Sequence, residues 1–343
     1  MFTEKERLQR ILHHEETDRP ACICPGGMMN MITTDLMEIA GITWPEAHLD
    51  AEKMAALALA SYEQGCFENV GVPFCMTIEA EALGAEVTMG TKVYEPHVTG
   101  YAMKSVADWT NLAKSDMTAG RAGIVLDAIE ILKAKNLDAP IVGNITGPIS
   151  TASSVIEPVV FYKELRKKNK EAHEYMNFVT EHLIHFAKEM IAAGADVIAI
   201  SDPSGTGEIL GPKYFEEFAV KYLNQLIDGI LDSKTGVIVH ICGQMKSVYK
   251  QIDMVKSDVL SFDSVVPMKE ARKHLGDRVL MGNVSTYALE FGEQEKVAAL
   301  TKNCMRNGAD IISPACGLGT KSPIQNIKAM LQAVKEEEKE CLK

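Results

Sequence analysis

The alternation of short apolar segments with longer amphipathic ones is the feature that most constrains the fold of this chain. Each apolar segment is rich in β-branched residues and ends in Gly, Asp, Asn or Pro. Strands that are apolar throughout and alternate with helices are typical of a parallel sheet covered by helices. We therefore predict an α/β fold, a (β/α)8 barrel with an N-terminal helical extension, with a doubly wound open sheet as the alternative. The predicted strands span 139–148, 195–203, 236–243, 258–263, 278–284 and 309–317.

No low-complexity linker divides the chain, and we predict one barrel domain over residues 1–343 with an N-terminal extension over 1–50. The net charge of −12 argues against a nucleic-acid partner, because such partners select basic surfaces. The first twenty residues lack the apolar core of a signal peptide, and no apolar run is long enough for membrane insertion. We expect a cytoplasmic protein whose eight cysteines are reduced.

Two segments of the chain resemble each other. "AGADVIAISDP" and "NGADIISPACG" both continue from Gly-Ala-Asp into an aliphatic strand, and Asp202 and Cys316 each lie eight residues after the glycine. This pattern predicts equivalent positions at the carboxyl ends of two strands, although Gly-Ala-Asp is also a common helix-to-strand turn. Barrel enzymes place their chemistry at this end of the sheet.

The segment "GVIVHICGQM" places His240 and Cys242 in an otherwise apolar strand. Because side chains alternate along a strand, both project from the same face, and Gly243 then lets the chain turn away. A third ligand from another strand end, Cys316, would complete a set of two thiolates and one imidazole. Such a set favours zinc, and three protein ligands are typical of a catalytic site. The pattern alone is equally compatible with a core histidine and two small buried cysteines.

The chain as a whole resembles the methylcobalamin:coenzyme M methyltransferases of the uroporphyrinogen decarboxylase superfamily. The resemblance implies a (β/α)8 barrel and a zinc ion held by His240, Cys242 and Cys316. It also implies transfer of a methyl group from a corrinoid (methylcobalamin), supplied by a partner protein, to the small thiol substrate coenzyme M. The segments that carry the resemblance are 41–48 (GITWPEAH), 81–92 (EALGAEVTMGTK), 194–203 (GADVIAISDP), 240–243 (HICG), 282–285 (GNVS) and 316–330 (CGLGTKSPIQNIKAM).

Four further polar residues follow predicted strands. Asp263 is a candidate for a displaceable fourth zinc ligand, or for a helix N-cap. Asp202 is a candidate for a hydrogen bond to the ligand histidine or for orienting the corrinoid, or it is part of an ordinary turn. Asn144 and Asn283 are candidates for lining the barrel mouth, or they cap turns.

The methionines Met28, Met29 and Met31 offer an adaptable apolar wall for a large cofactor, or they fill the core. The same region argues against uroporphyrinogen decarboxylation. "CPGGMMN" (24–30) lacks the arginine that those decarboxylases have, and Cys75 and Met76 lie where their aspartate is expected. A related methyltransferase with another acceptor or donor, such as another thiol or tetrahydrofolate, remains open. A corrinoid-protein scaffold is disfavoured, since no expected zinc ligand is missing.

Overall fold

An eight-stranded parallel sheet forms the centre of the molecule. The computed structural model describes residues 2–112, 116–231 and 235–341. The strands of the sheet are β1 (Ala21–Cys22), β2 (Val70–Val72), β5 (Ile141–Thr146), β6 (Val197–Ser201), β7 (Gly236–Ile241), β8 (Val259–Phe262), β9 (Val279–Met281) and β10 (Ile311–Ile312). Two further strands, β3 (Glu86–Thr88) and β4 (His97–Gly100), pair as an antiparallel hairpin.

The order of the strands is that of a (β/α)8 barrel. The sheet runs β1-β10-β9-β8-β7-β6-β5-β2. From β2 and β5 to β10, the strands of the sheet are therefore neighbours in the order of the chain, and the last strand, β10, lies beside the first, β1. Its two edges are joined by the Glu68 backbone N–H, which donates to the Cys22 carbonyl at 2.8 Å. The Asn69 side chain accepts from the backbone N–H of Cys24 and donates to its carbonyl, both at 2.8 Å. The predicted barrel is confirmed, and the open-sheet alternative is wrong.

Helices surround the barrel. They are α1 (Glu4–Leu12), α2 (Thr34–Ala40), α3 (Ala51–Glu63), α4 (Ile78–Ala82), α5 (Gly120–Ala134), α6 (Pro148–Val155), α7 (Pro158–Lys167), α8 (Asn169–Ala193), α9 (Gly207–Tyr214), α10 (Lys221–Ile230), α11 (Tyr249–Ile252), α12 (Met268–Leu275), α13 (Thr286–Phe291), α14 (Gln294–Arg306) and α15 (Ile324–Cys341). Short 3-10 helices span Glu46–His48 and Val106–Asn111, and a π-helix spans Phe215–Val220. None of the helices within the described part of the chain is both long and apolar enough to span a membrane.

The N-terminal helix covers the bottom of the barrel. Thr3 and Glu6 form a capping box that starts α1, and a Cβ added at Gly236, where β7 begins, would overlap with Leu12. The strand β1 follows within residues 1–50, the stretch that the sequence assigns to an extension. Part of that stretch therefore contributes to the barrel itself. A two-residue strand is too short for its periodicity to be recognised.

All six predicted strands are present, and β1 and β2 are additional. Every residue of β5, β6, β7 and β8 is buried, which explains why these strands are apolar without alternation. The carboxyl ends of the eight strands meet at one end of the barrel, which we call the mouth. The β3–β4 hairpin reaches the segment that follows β10, since the Thr320 hydroxyl donates to the Val93 carbonyl at 3.0 Å.

Candidate metal centre at the barrel mouth

The strand β7 positions two of the three predicted ligands. His240 is the fifth residue of β7, in register with Ser201 on one side and Ser261 on the other, and is 1% exposed. Cys242 follows the strand directly and is partly buried. Gly243 then takes a left-handed conformation (φ 82°), which is unfavourable for other residues and turns the chain away from the mouth.

The third predicted ligand arrives from the loop after β10. The sulfur of Cys316 lies 3.7 Å from the sulfur of Cys242, and the Nε2 of His240 lies 3.2 Å from the same Cys242 sulfur. The ligand atoms of the three residues lie within 4.8 Å of one another. Among residues 2–112, 116–231 and 235–341, this is the one group of three or more His, Cys, Asp or Glu side chains close enough to share a metal ion. Two sulfur ligands of a tetrahedral zinc ion, each at about 2.3 Å, are about 3.8 Å apart. The residues present therefore fit a zinc ion in both chemistry and spacing.

The two thiols ionise unequally. The hydrogen bond from Cys242 lowers the pKa of Cys316, and the neighbouring His240 contributes to the same effect. The same hydrogen bond and burial raise the pKa of Cys242, and the negative charges of Cys316 and Asp263 add to this. Cys316 is therefore the more acidic thiol of the pair. Binding a metal through both sulfurs requires both thiols to be deprotonated.

Ser261 on β8 orients the histidine. Its hydroxyl oxygen lies 3.0 Å from the Nδ1 of His240, and both side chains are 1% exposed. When Nδ1–H donates to this oxygen, Nε2 has a free lone pair that faces the two cysteines. The sequence analysis missed Ser261, although a polar residue within the apolar run "DVLSFD" is the same kind of signal that identified His240.

Met28 lies beside Cys242. Its thioether sulfur is 3.9 Å from the Cys242 sulfur, and the side chain is partly buried. Met29 and Met31 are buried in the core. Of the three methionines considered as a wall for a cofactor, Met28 is thus the one beside the centre.

Asp263 lies close to the centre without joining the group of three. Its carboxylate accepts hydrogen bonds from the Val265 backbone N–H at 3.1 Å and from the Ser264 hydroxyl at 3.2 Å. Asn283 supports this loop, because its amide donates to the carbonyls of Asp263 and Val266, both at 2.8 Å. The contacts of Asn283 are therefore with the loop that carries Asp263.

The other two predicted residues contact neighbouring elements of the barrel. Asp202 is fully buried and accepts hydrogen bonds at the start of α6, from the Ile149 N–H at 3.2 Å and from the Ser150 N–H and hydroxyl, each at 2.7 Å. Asn144 donates to the Ser201 hydroxyl at 3.0 Å. The Asp202 side chain thus caps a helix, and Asp202 contacts His240 through the backbone, where its N–H donates to the His240 carbonyl at 2.9 Å. The hydroxyl beside the Nδ1 of His240 is that of Ser261.

Glu95, in the hairpin between β3 and β4, is a further titratable group near Cys316. Burial, with a smaller contribution from the negative charge of Cys316, raises the pKa of Glu95 to about 8. A carboxyl group with a raised pKa thus lies near Cys316. No signal in the sequence indicates this residue, because a charged residue in a polar hairpin is ordinary.

A closed parallel barrel that brings an imidazole and two thiols together at its mouth defines the class of the protein as a (β/α)8 barrel with a thiol-rich centre. The sequence model of the family "Uroporphyrinogen decarboxylase (URO-D)" matches residues 3–337. The chain belongs to the uroporphyrinogen decarboxylase family.

Within this family, the chain is similar to methyltransferases over nearly its whole length. It is 32% identical to the methylcobamide:CoM methyltransferase MtbA of Methanosarcina acetivorans, over 97% of this chain and 98% of that protein. It is 30% identical to a methylated-thiol–coenzyme M methyltransferase of Methanosarcina mazei, over 98% of this chain and 91% of that protein. A solved structure of a methyltransferase from Methanosarcina mazei superposes with a TM-score of 0.92 at 33% identity, covering 98% and 99% of the two chains. These findings confirm the resemblance stated from the sequence.

Proposed function

We propose that this protein is a zinc-dependent methyltransferase that moves a methyl group from a methyl-cobalt(III) corrinoid, carried by a partner protein, to the thiol of coenzyme M. The observation that carries the proposal is the convergence of His240, Cys242 and Cys316 within 4.8 Å at the mouth of the barrel. The names of the relatives support the two substrates, since MtbA of Methanosarcina acetivorans is a methylcobamide:CoM methyltransferase.

The three side chains would hold the metal through the Nε2 of His240 and the sulfurs of Cys242 and Cys316. A zinc ion bound there would supply Lewis acidity that favours the thiolate form of a neighbouring substrate thiol. The two cysteine thiolates keep the centre electron-rich, which leaves the substrate sulfur nucleophilic. Ser261 fixes the tautomer of His240, so that Nε2 faces the centre.

The reaction is an in-line displacement at the methyl carbon. The substrate thiol loses its proton, and its sulfur attacks the methyl group on cobalt. The carbon–sulfur bond forms as the cobalt–carbon bond breaks, and the electron pair of that bond stays with the metal. The products are a methyl thioether and cobalt(I). The proton of the thiol passes to solvent.

The rim of the mouth suits a large partner. Exposed apolar side chains lie in the segments that follow the strands, with Val265 after β8 and Tyr287 and Phe291 on α13 after β9. The two aromatic rings contact each other with their centroids 4.9 Å apart. Exposed apolar groups beside a deep site are typical of a surface that a second protein covers. A corrinoid-carrying protein docked there would present its cobalt to the centre.

A second candidate keeps the centre but changes the methyl donor. The methylated-thiol–coenzyme M methyltransferase of Methanosarcina mazei is similar to 98% of this chain over 91% of its own length. A methylated thiol as donor, or a different thiol as acceptor, would use the same three ligands. The reaction assays below separate these possibilities.

Metal analysis tests the centre. We expect about one zinc ion per chain, lost when Cys242 or Cys316 is changed to alanine. Cys304→Ala is the matched control, because this cysteine is a buried residue of α14 and lies outside the group of three. An absence of zinc in the unchanged protein, or retention of zinc in both ligand variants, would refute the centre.

Methyl transfer tests the substrates. Mixing the zinc-loaded protein with methylcobalamin and coenzyme M should produce the absorption spectrum of cobalt(I) and methyl-coenzyme M. Methylated thiols with cobalt(I) corrinoid, and other free thiols with methylcobalamin, form the parallel assays. Activity in one of these parallel assays, with no activity when coenzyme M is the acceptor, would show that the proposed substrates are wrong. The proposed metal centre would not be affected by that result.

A further inference from the structure

The sulfur of Met28 lies close to the sulfur of Cys242, one member of the cysteine pair. It is 3.9 Å from the Cys242 sulfur, while the two cysteine sulfurs are 3.7 Å apart. Both distances match the separation of about 3.8 Å between two sulfurs on one tetrahedral zinc ion. Three sulfurs and one imidazole therefore lie at the mouth, although the proposed reaction needs only two protein sulfurs and one substrate sulfur.

The backbone of Met28 is held firmly on both sides. The Gly27 N–H donates to the Pro73 carbonyl, the Met29 N–H to the Gly26 carbonyl, and the Leu318 N–H to the Asn30 carbonyl. A Cβ added at Gly317, the residue after Cys316, would overlap with the Met28 carbonyl oxygen. The loop that carries Met28 is thus packed directly against the segment that carries Cys316. The Met28 side chain can change position while this backbone stays in place.

The side chain of Met28 can rotate on this fixed backbone. Methionine has three rotatable side-chain bonds and an unbranched thioether, so it changes conformation with little strain. The side chain is partly exposed, which leaves space for it to rotate towards solvent.

We propose that, in the protein without its thiol, the thioether of Met28 occupies the place that the substrate sulfur takes, and that the Met28 side chain rotates away when a thiol binds. This inference rests on the proposed function for the identity of the ligand, a small thiol. The product of thiol methylation is a thioether, the functional group that Met28 itself carries. The returning side chain therefore competes with the product and favours its release.

The inference predicts that a shorter residue at position 28 strengthens thiol binding. Thiol binding requires the state in which the Met28 side chain is rotated away. If that state is populated about one tenth of the time, the apparent affinity for the thiol is about tenfold weaker than the affinity of that state. Removal of the Met28 side chain beyond Cβ abolishes this competition. Leucine keeps nearly the same volume without the sulfur, so it preserves a steric block.

Thiol titration of the cobalt(II)-substituted protein tests the inference. The thiolate-to-cobalt charge-transfer band reports coenzyme M binding without turnover. We expect Met28→Ala to bind the thiol about tenfold more tightly and Met28→Leu to bind it as the unchanged protein does. Weaker binding or unchanged binding by Met28→Ala would overturn the inference. If Met28→Ala does not fold, Met28→Val, which is also shorter, gives the same comparison.

Alkylation of the metal-free protein gives a measurement that does not need the substrate. Iodoacetamide should modify the Cys242–Cys316 pair several-fold faster in Met28→Ala than in the unchanged protein or in Met28→Leu. Equal rates in all three proteins would overturn the inference. Faster alkylation of Met28→Ala, together with no coenzyme M binding by any variant, would contradict the proposed thiol while upholding the position of Met28 over the centre.

Discussion

Replacing Ser261 with alanine should weaken zinc binding without unfolding the barrel. The hydroxyl of Ser261 is 3.0 Å from the Nδ1 of His240. Both residues are 1% exposed, so no water replaces the lost partner at the surface. In the variant, the buried Nδ1–H of His240 has no acceptor, and the imidazole can rotate or adopt the other tautomer. The ligand atom Nε2 is then oriented towards the cysteines for only part of the time.

The size of the effect can be derived from the buried hydrogen bond. A buried polar group that loses its partner is destabilised by about 1–3 kcal/mol. At about 1.4 kcal/mol for each factor of ten, this corresponds to roughly 5-fold to 150-fold in an equilibrium constant. Losing a hydrogen-bond partner of a metal-bound histidine typically weakens metal affinity by about 10-fold to 100-fold. The two ranges agree, and we expect the zinc dissociation constant of Ser261→Ala to rise by about 10-fold to 100-fold.

A competition titration against a chromophoric chelator, under reducing conditions, measures this change. Ser257→Ala is the matched control, because Ser257 is buried two residues before β8 and its hydroxyl has no hydrogen-bond partner in the described part of the structure. It should bind zinc as the unchanged protein does. Unaltered affinity in Ser261→Ala, or an equal loss in Ser257→Ala, would refute the role of Ser261.

Two more predictions follow from buried or paired carboxylates. Asp202→Ala removes the acceptor of three hydrogen bonds at the start of α6. It should lower the free energy of unfolding, measured in urea, by about 2–4 kcal/mol and leave the zinc content unchanged. Loss of zinc without loss of stability would contradict a capping role. Arg7 lowers the pKa of Asp18 from 3.8 to about 2, so the charged carboxylate stabilises the folded state above about pH 4 and loses this effect as the pH falls towards 2. The stability difference between Asp18→Asn and the unchanged protein should therefore be present in urea titrations at pH 7 and vanish near pH 2, and a difference that does not depend on pH would exclude the ion pair as its source.

The barrel could be predicted from the sequence because its strands are buried on both faces. Strands β5 to β8 are mainly apolar and buried throughout, and each is bounded by turn residues that mark its ends. The strands β1 and β2 could not be found in this way, since they have two and three residues. The edges of the sheet are joined by the backbone hydrogen bond from Glu68 to Cys22 and by the Asn69 side chain. Such isolated contacts leave no periodic pattern in the sequence.

The sequence by itself determined that His240 and Cys242 share one face, because that relation depends only on the alternation of side chains along a strand. It also indicated that both lie at the carboxyl end of the strand, through Gly243. Only the tertiary structure decided which residues surround them. Cys316 and Met28 are 74 and 214 residues from Cys242, and Ser261 meets His240 through the register of two neighbouring strands. Local periodicity specifies the face of a strand, whereas the order, register and closure of the barrel specify its neighbours.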